Sequence, residues 1–141
     1  CGRYTYLFTW RELARRLGLL GVPEEELTPR YNVAPSQVAP VVRRGERGRE
    51  GVMMRWGLTP RWARDVSEGT RNFNARSETV AEKPTFREAF RDRRCVVPIS
   101  GFYEWRVLRE GKKQPYYIRR RDGGPMALAG VWGGGEGVGQ V

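Results

Sequence analysis

The sequence predicts an α+β domain, built on a curved, mainly antiparallel sheet with at least two short helices beside it. Three observations predict that class. Short runs with strand character recur along the chain, separated by charged, glycine-containing turns. Two segments switch to helical spacing, and no internal repeat or domain boundary interrupts the 141 residues. Hydrophobic residues at 39% and aromatic residues at 11% supply one core, which a disordered tail lacks.

Tyr4 to Phe8 alternates polar and apolar residues and reads as the first strand. Trp10, Leu13, Ala14 and Leu17 then share one face of a helix, and Thr9 with Glu12 forms a capping box that fixes its start. GVPEEELTPR is a connector. RYNVAPSQ is extended, with Pro35 barring it from being an interior strand throughout. VAPVVRR and GVMMRWGL are two strands joined by the turn GERGRE. The stretch TPRWARDVSEGTRNFNARSETV holds too many turn formers for a helix and reads as a long surface loop. KPTFREAFRDRRC is a short helix with Pro84 in its first turn and Phe86, Ala89 and Phe90 on one face. CVVPISGFYEWRVL, QPYYIRRR and PMALAGVW are three further strands, with turns at EGKK and DGG. The domain spans 1–141, with glycine-rich 133–139 as a loop or a cut edge. ALAGVW is an apolar edge that needs a partner, so more chain is expected beyond Val141.

The net charge is +10, and 23 of the 26 basic residues are arginine. Arginine forks onto phosphates and stacks on bases, so the balance favours a polyanion, with nucleic acid first. The chain has no histidine and two cysteines, which excludes zinc sites built from four cysteines or from a cysteine pair with a histidine pair, Ser-His-Asp triads and Cys-His dyads. No phosphate-loop or dinucleotide motif occurs, and no metal or cofactor is expected. No apolar run of about 18 residues is present, so the expectation is a cytoplasmic protein with no membrane partner, on the nucleoid in a bacterium. The protein partners are unknown.

Cys1 carries an α-amine and a thiol on one residue, a pair that no internal cysteine offers. Such a 1,2-aminothiol adds to an aldehyde as an imine, and the thiolate then closes a five-membered thiazolidine, favoured because closure is intramolecular. Gly2, without a Cβ, lets a bulky substrate approach. Two other readings stay open: an N-terminal-nucleophile amidohydrolase whose amine serves as base for its own thiol, and a terminus with no chemical role.

CGRY, RYNVAPSQ (30–37), WGLTPRW (56–62), NARSET (74–79), RRCVVPISGFYEW (93–105) and KQPYYI (113–118) occur in that order. Together they resemble the SRAP domain, the SOS response-associated peptidase family, over residues 1 to about 132. The resemblance implies a β-barrel core and a protein that binds single-stranded or junction DNA. It implies a thiazolidine crosslink between Cys1 and the ring-opened aldehyde of an abasic site, after autoproteolytic exposure of Cys1. It makes Cys1, Asn74 and Glu104 catalytic: Asn74 holds the terminus and sugar, and Glu104, among Phe102, Tyr103 and Trp105, relays protons if it points inward. Gly2, Arg3, Pro35, Trp62 and Arg76 then contact DNA, the arginines through phosphates, Pro35 and Trp62 against bases, and Gly2 by letting the strand come close to the terminus. Cys95 reads as a buried small hydrophobe. One departure stands out: the family's downstream active-site histidine is missing here. An amidohydrolase and a non-catalytic DNA-binding module remain as alternatives.

Overall fold

A computed structural model describes residues 1–63, 65–134 and 139–141. Among these residues, eight strands make two four-stranded antiparallel sheets. The first has the order β2 (Arg30–Val33), β1 (Tyr4–Tyr6), β6 (Gly101–Val107), β7 (Lys113–Arg119); the second runs β4 (Arg49–Arg55), β3 (Val38–Arg44), β5 (Arg94–Ile99), β8 (Met126–Val131). The α+β class holds. The barrel does not: among the described residues no strand of one sheet pairs with a strand of the other.

Helix α1 (Trp10–Leu17) starts where the sequence places it. Thr9 Oγ1 accepts the Glu12 N–H at 3.1 Å, the Glu12 carboxylate accepts the Thr9 N–H, and Gly18 ends the helix at φ 62°. Trp10 and Leu13 bury in one cluster with Phe8 and with Tyr4, Tyr6, Val33, Ala39 and Ile99, which come from both sheets. A Cβ on Gly51 of β4 would fall 2.5 Å from the Trp10 ring, so the helix packs onto bare backbone there. The connector is pinned by Glu26, whose carboxylate accepts the N–H groups of Trp10 and Leu27 at 2.7 and 2.8 Å. Those two bonds hold its pKa below the ordinary value.

Two elements differ from expectation. CVVPISGFYEWRVL is two strands, because the chain leaves one sheet for the other at Ser100. There the Ser100 N–H donates to the Thr5 carbonyl and its Oγ accepts the Leu7 N–H, so the corner is bonded to the β1 segment. Helix α2 (Arg87–Asp92) begins after Pro84, which lies in the turn before it; Phe86 and Ala89 are buried, and Phe90 is 37% exposed. The long loop holds one 3-10 turn, Val66–Arg71, started by the Asp65 carboxylate on the Ser67 N–H. β8 is the outer strand of its sheet. The glycine-rich stretch lies partly outside the described residues (135–138), but 139–141 bond beside the end of β4: Arg55 N–H donates to Gly139 O and Val141 N–H to Arg55 O.

Candidate functional site

Residues 1–3 reach the site because β1 extends them along β6. Tyr4 sits opposite Phe102, Thr5 opposite Gly101, and the Tyr103 N–H donates to the Arg3 carbonyl at 2.9 Å. One residue further along β6, Glu104 Oε1 stands 3.2 Å from the Cys1 amine. The Asn74 Nδ2 amide donates to the Cys1 carbonyl at 2.5 Å. Terminus, amide and carboxylate therefore converge from positions 1, 74 and 104 of the chain. The condition of an inward Glu104 is not met: the side chain is 51% exposed, and it faces the ammonium group.

Asn74 is delivered by a loop locked to the core. Trp56 Nε1 donates to the Phe73 carbonyl at 2.7 Å, and the Leu58 N–H donates to Asn72 O at 3.0 Å. The Trp56 ring packs edge-on against Phe73 at 6.0 Å and tilts against Tyr4 at 5.0 Å, so one aromatic run ties the Asn74 loop to the strand that carries Cys1. Burial of Tyr4 in that run pushes its phenol pKa upward. Cys1 stands at a largely apolar cavity of about 340 Å³, walled by Tyr4, Trp56, Phe73, Phe90, Cys95 and Leu128. Burial in its wall drives the Cys95 thiol up to about 12, which leaves it an inert thiol. The Cys1 side chain is 21% exposed, and its Sγ lies 3.7 Å from the Arg3 carbonyl.

The five residues proposed for DNA contact are dispersed around this centre. Arg3 is exposed, with Nη1 bonded to Asn32 Oδ1 at 2.9 Å. Asn32 belongs to the RYNVAPSQ motif, and sequence reasoning overlooked it. Arg76, two residues past Asn74, is exposed and makes no ion pair among the described residues. Pro35 occupies the β2–β3 turn, where Ser36 takes φ 73° and donates its N–H to Trp56 O. Trp62 is 65% exposed on a separate groove shared with Arg61, Pro84, Arg93 and Trp132. Around Gly2 a Cβ would meet nothing within 4 Å, so the protein's own packing does not require glycine there. No helix among the described residues is long and apolar enough to cross a membrane.

The chain is similar to several known proteins. Over 134 residues it is 38% identical to the abasic site processing protein YoqW of Bacillus subtilis, covering 94% of this chain and 59% of that one. To the abasic site processing protein HMCES of Xenopus tropicalis it is 35% identical over 106 residues, 67% of this chain and 31% of that one. It spans about three fifths of the length of the Bacillus relatives. A crystal structure from Bordetella bronchiseptica superposes with a TM-score of 0.77 at 29% identity, covering 94% of this chain and 64% of that one. Another, from Bacteroides thetaiotaomicron, gives 0.75 at 28% identity, with 94% and 60% covered. The SOS response associated peptidase (SRAP) family model matches residues 1–137. With that match across nearly its whole length, the chain belongs to the SRAP family.

Proposed function

We propose that this chain, with the Cys1 amine free, binds DNA at abasic sites and captures their aldehyde covalently as a thiazolidine. The observation that carries the reading is an aminothiol residue held at both ends, its amine 3.2 Å from the Glu104 carboxylate and its carbonyl accepting from the Asn74 side-chain amide. The names of the relatives, abasic site processing proteins, support the choice of aldehyde.

Glu104 takes a proton from the ammonium group, which frees the nitrogen lone pair. The amine adds to C1 of the ring-opened sugar, and the carbinolamine loses its hydroxyl as water to leave an imine. The Cys1 thiolate then adds to the imine carbon, the nitrogen is reprotonated, and the ring closes. One water is lost overall and no redox change occurs. Asn74 fixes the Cys1 carbonyl, so the amine and thiol present themselves in one orientation, which is where intramolecular closure gains its rate. Arg3 and Arg76 take phosphates, and Pro35 and Trp62 meet neighbouring bases on single-stranded or junction DNA. Any residue ahead of Cys1 is removed by autoproteolysis, with Glu104 handling the proton at that same nitrogen.

Intact-mass measurement after mixing with an abasic single-stranded oligonucleotide tests this. The expected product is protein plus DNA minus one water, stable to denaturant and absent with Cys1→Ala. Cys1→Ser gives only an oxazolidine, which hydrolyses readily. A complex that denaturant dissolves indicates a binding module instead, and turnover of an amide without adduct indicates an amidohydrolase. Adduct formation at the parent rate by protein with a blocked amine overturns the thiazolidine route.

A further inference from the structure

The β6–β7 hairpin leaves the site as an exposed ribbon, and every residue of β7 is exposed. Residues directly opposite in an antiparallel pair share a face. The register sets Phe102 against Ile118, Glu104 against Tyr116 and Arg106 against Gln114. Tyr103, Trp105 and Val107 lie on the other face with Tyr117, whose hydroxyl bonds to Thr5 Oγ1 at 2.7 Å and whose ring covers Gly101. The face that holds Glu104 beside the Cys1 amine therefore also carries Tyr116 and, further out, Arg106.

Resting on the abasic-site reading, we infer that this face is a track for the nucleic acid strand flanking the lesion, with one base on Tyr116 and one phosphate on Arg106. Tyr116 is 48% exposed, and neither its hydroxyl nor the Arg106 guanidinium has a polar partner among the described residues. Between Gly101 and Arg121 there are seven basic and two acidic side chains, so the ribbon favours a polyanion. A ring alternating with a cation on one face is how single strands are bound without sequence reading: bases stack and phosphates pair. Two residues of strand advance about 7 Å, room for one extended nucleotide between ring and guanidinium. A protein segment fits this face poorly, because Glu104, Arg106 and Gln114 interrupt its apolar surface. The more continuous apolar surface, Trp105 with Val107, lies on the opposite face.

The experiment compares crosslinking of a short abasic oligonucleotide, with one nucleotide on each side of the lesion, and longer ones extended by four nucleotides on either side. The readout is the ratio of apparent affinities, long over short, in each protein. In the parent, extension on one side raises affinity about tenfold, the scale of one stacked base. Tyr116→Ala loses most of that gain and Tyr116→Phe keeps it, since stacking needs the ring and not the hydroxyl. Arg106→Gln shallows the salt dependence on the longer strand by about 0.7 in log–log slope. Equal affinities for short and long strands in the parent overturn the track, as does a Tyr116→Ala protein with the full gain. Failure of the parent to crosslink either oligonucleotide defeats the abasic-site reading instead.

Discussion

Cys1, Cys95 and Glu104 show how position in the fold decides what a side chain does. Both thiols border one cavity, yet Cys1 also stands at the Glu104 carboxylate while Cys95 is buried among Val41, Met54 and Val97. Burial moves the Cys95 thiol from 9.0 to about 12. Iodoacetamide at mildly alkaline pH is therefore expected to label Cys1 and to spare Cys95 until denaturant is added; equal labelling of both in the folded protein contradicts the burial. Between pH 9 and about 12 the folded state keeps a proton that the unfolded chain releases, so this thiol's contribution to stability is complete below pH 9 and is lost as pH climbs through that window. Urea midpoints across that range should fall as pH rises. Glu104→Gln keeps an acceptor for the amine and removes the proton-transfer function. Crosslinking is expected to slow about a hundredfold and its pH profile to flatten, with DNA affinity close to the parent's. A rate equal to the parent's across mildly acidic to mildly basic pH would strip Glu104 of its acid–base role.

The elements were legible wherever local spacing settles them. Helix α1 was fully readable, because the Thr9–Glu12 capping box and the i, i+3, i+4, i+7 face lie in one short window. The split of 95–108 was not, because VVPIS and GFYEW both have strand character and only the tertiary bonds of Ser100 to Thr5 and Leu7 show where the sheet changes. The same limit applies to the site. Cys1 was readable from its own chemistry, whereas Asn74 and Glu104 were legible only through whole-chain motif resemblance, since contacts across 73 and 103 positions leave no local period. Asn32 was overlooked because an asparagine in an extended strand carries no sign of the arginine it holds. Gly101 shows what an element demands of one residue. A Cβ there overlaps the Tyr117 ring, which is itself tied to Thr5. Gly101→Ala is expected to cost about 1–3 kcal/mol by forcing the ring or strand aside, read as a lower urea midpoint. An unchanged midpoint means that the hairpin yields freely, and that β6 is not held by this contact.

At the scale of the whole molecule, two sheets bring the start of β1, the 72–80 loop and the middle of β6 to one place on a surface with net charge +10. That charge is not uniform in effect. Arg43 is bonded to Glu50 at 2.7 Å and lies 4.5 Å over the Trp132 ring, so its charge is already matched within the fold. Arg76 is exposed beside Asn74 with no ion pair among the described residues, so its charge is available to a ligand. Exposed charges beyond about 8–10 Å are largely screened at ordinary ionic strength, so a distant arginine adds little to a strand bound at Cys1. Each phosphate held directly releases its counterion and contributes about 0.7 to the slope of log K against log[salt] on a single strand. Arg76→Ala is therefore expected to shallow that slope by about 0.7, whatever the base sequence. Arg43→Ala should leave the slope unchanged, although it removes the same formal charge. Binding titrations of both variants at several salt concentrations separate the two cases. If the two variants shift the slope equally, the DNA responds to net charge alone and Arg76 holds no phosphate; if neither shifts it, the strand passes the 74–79 loop without touching it.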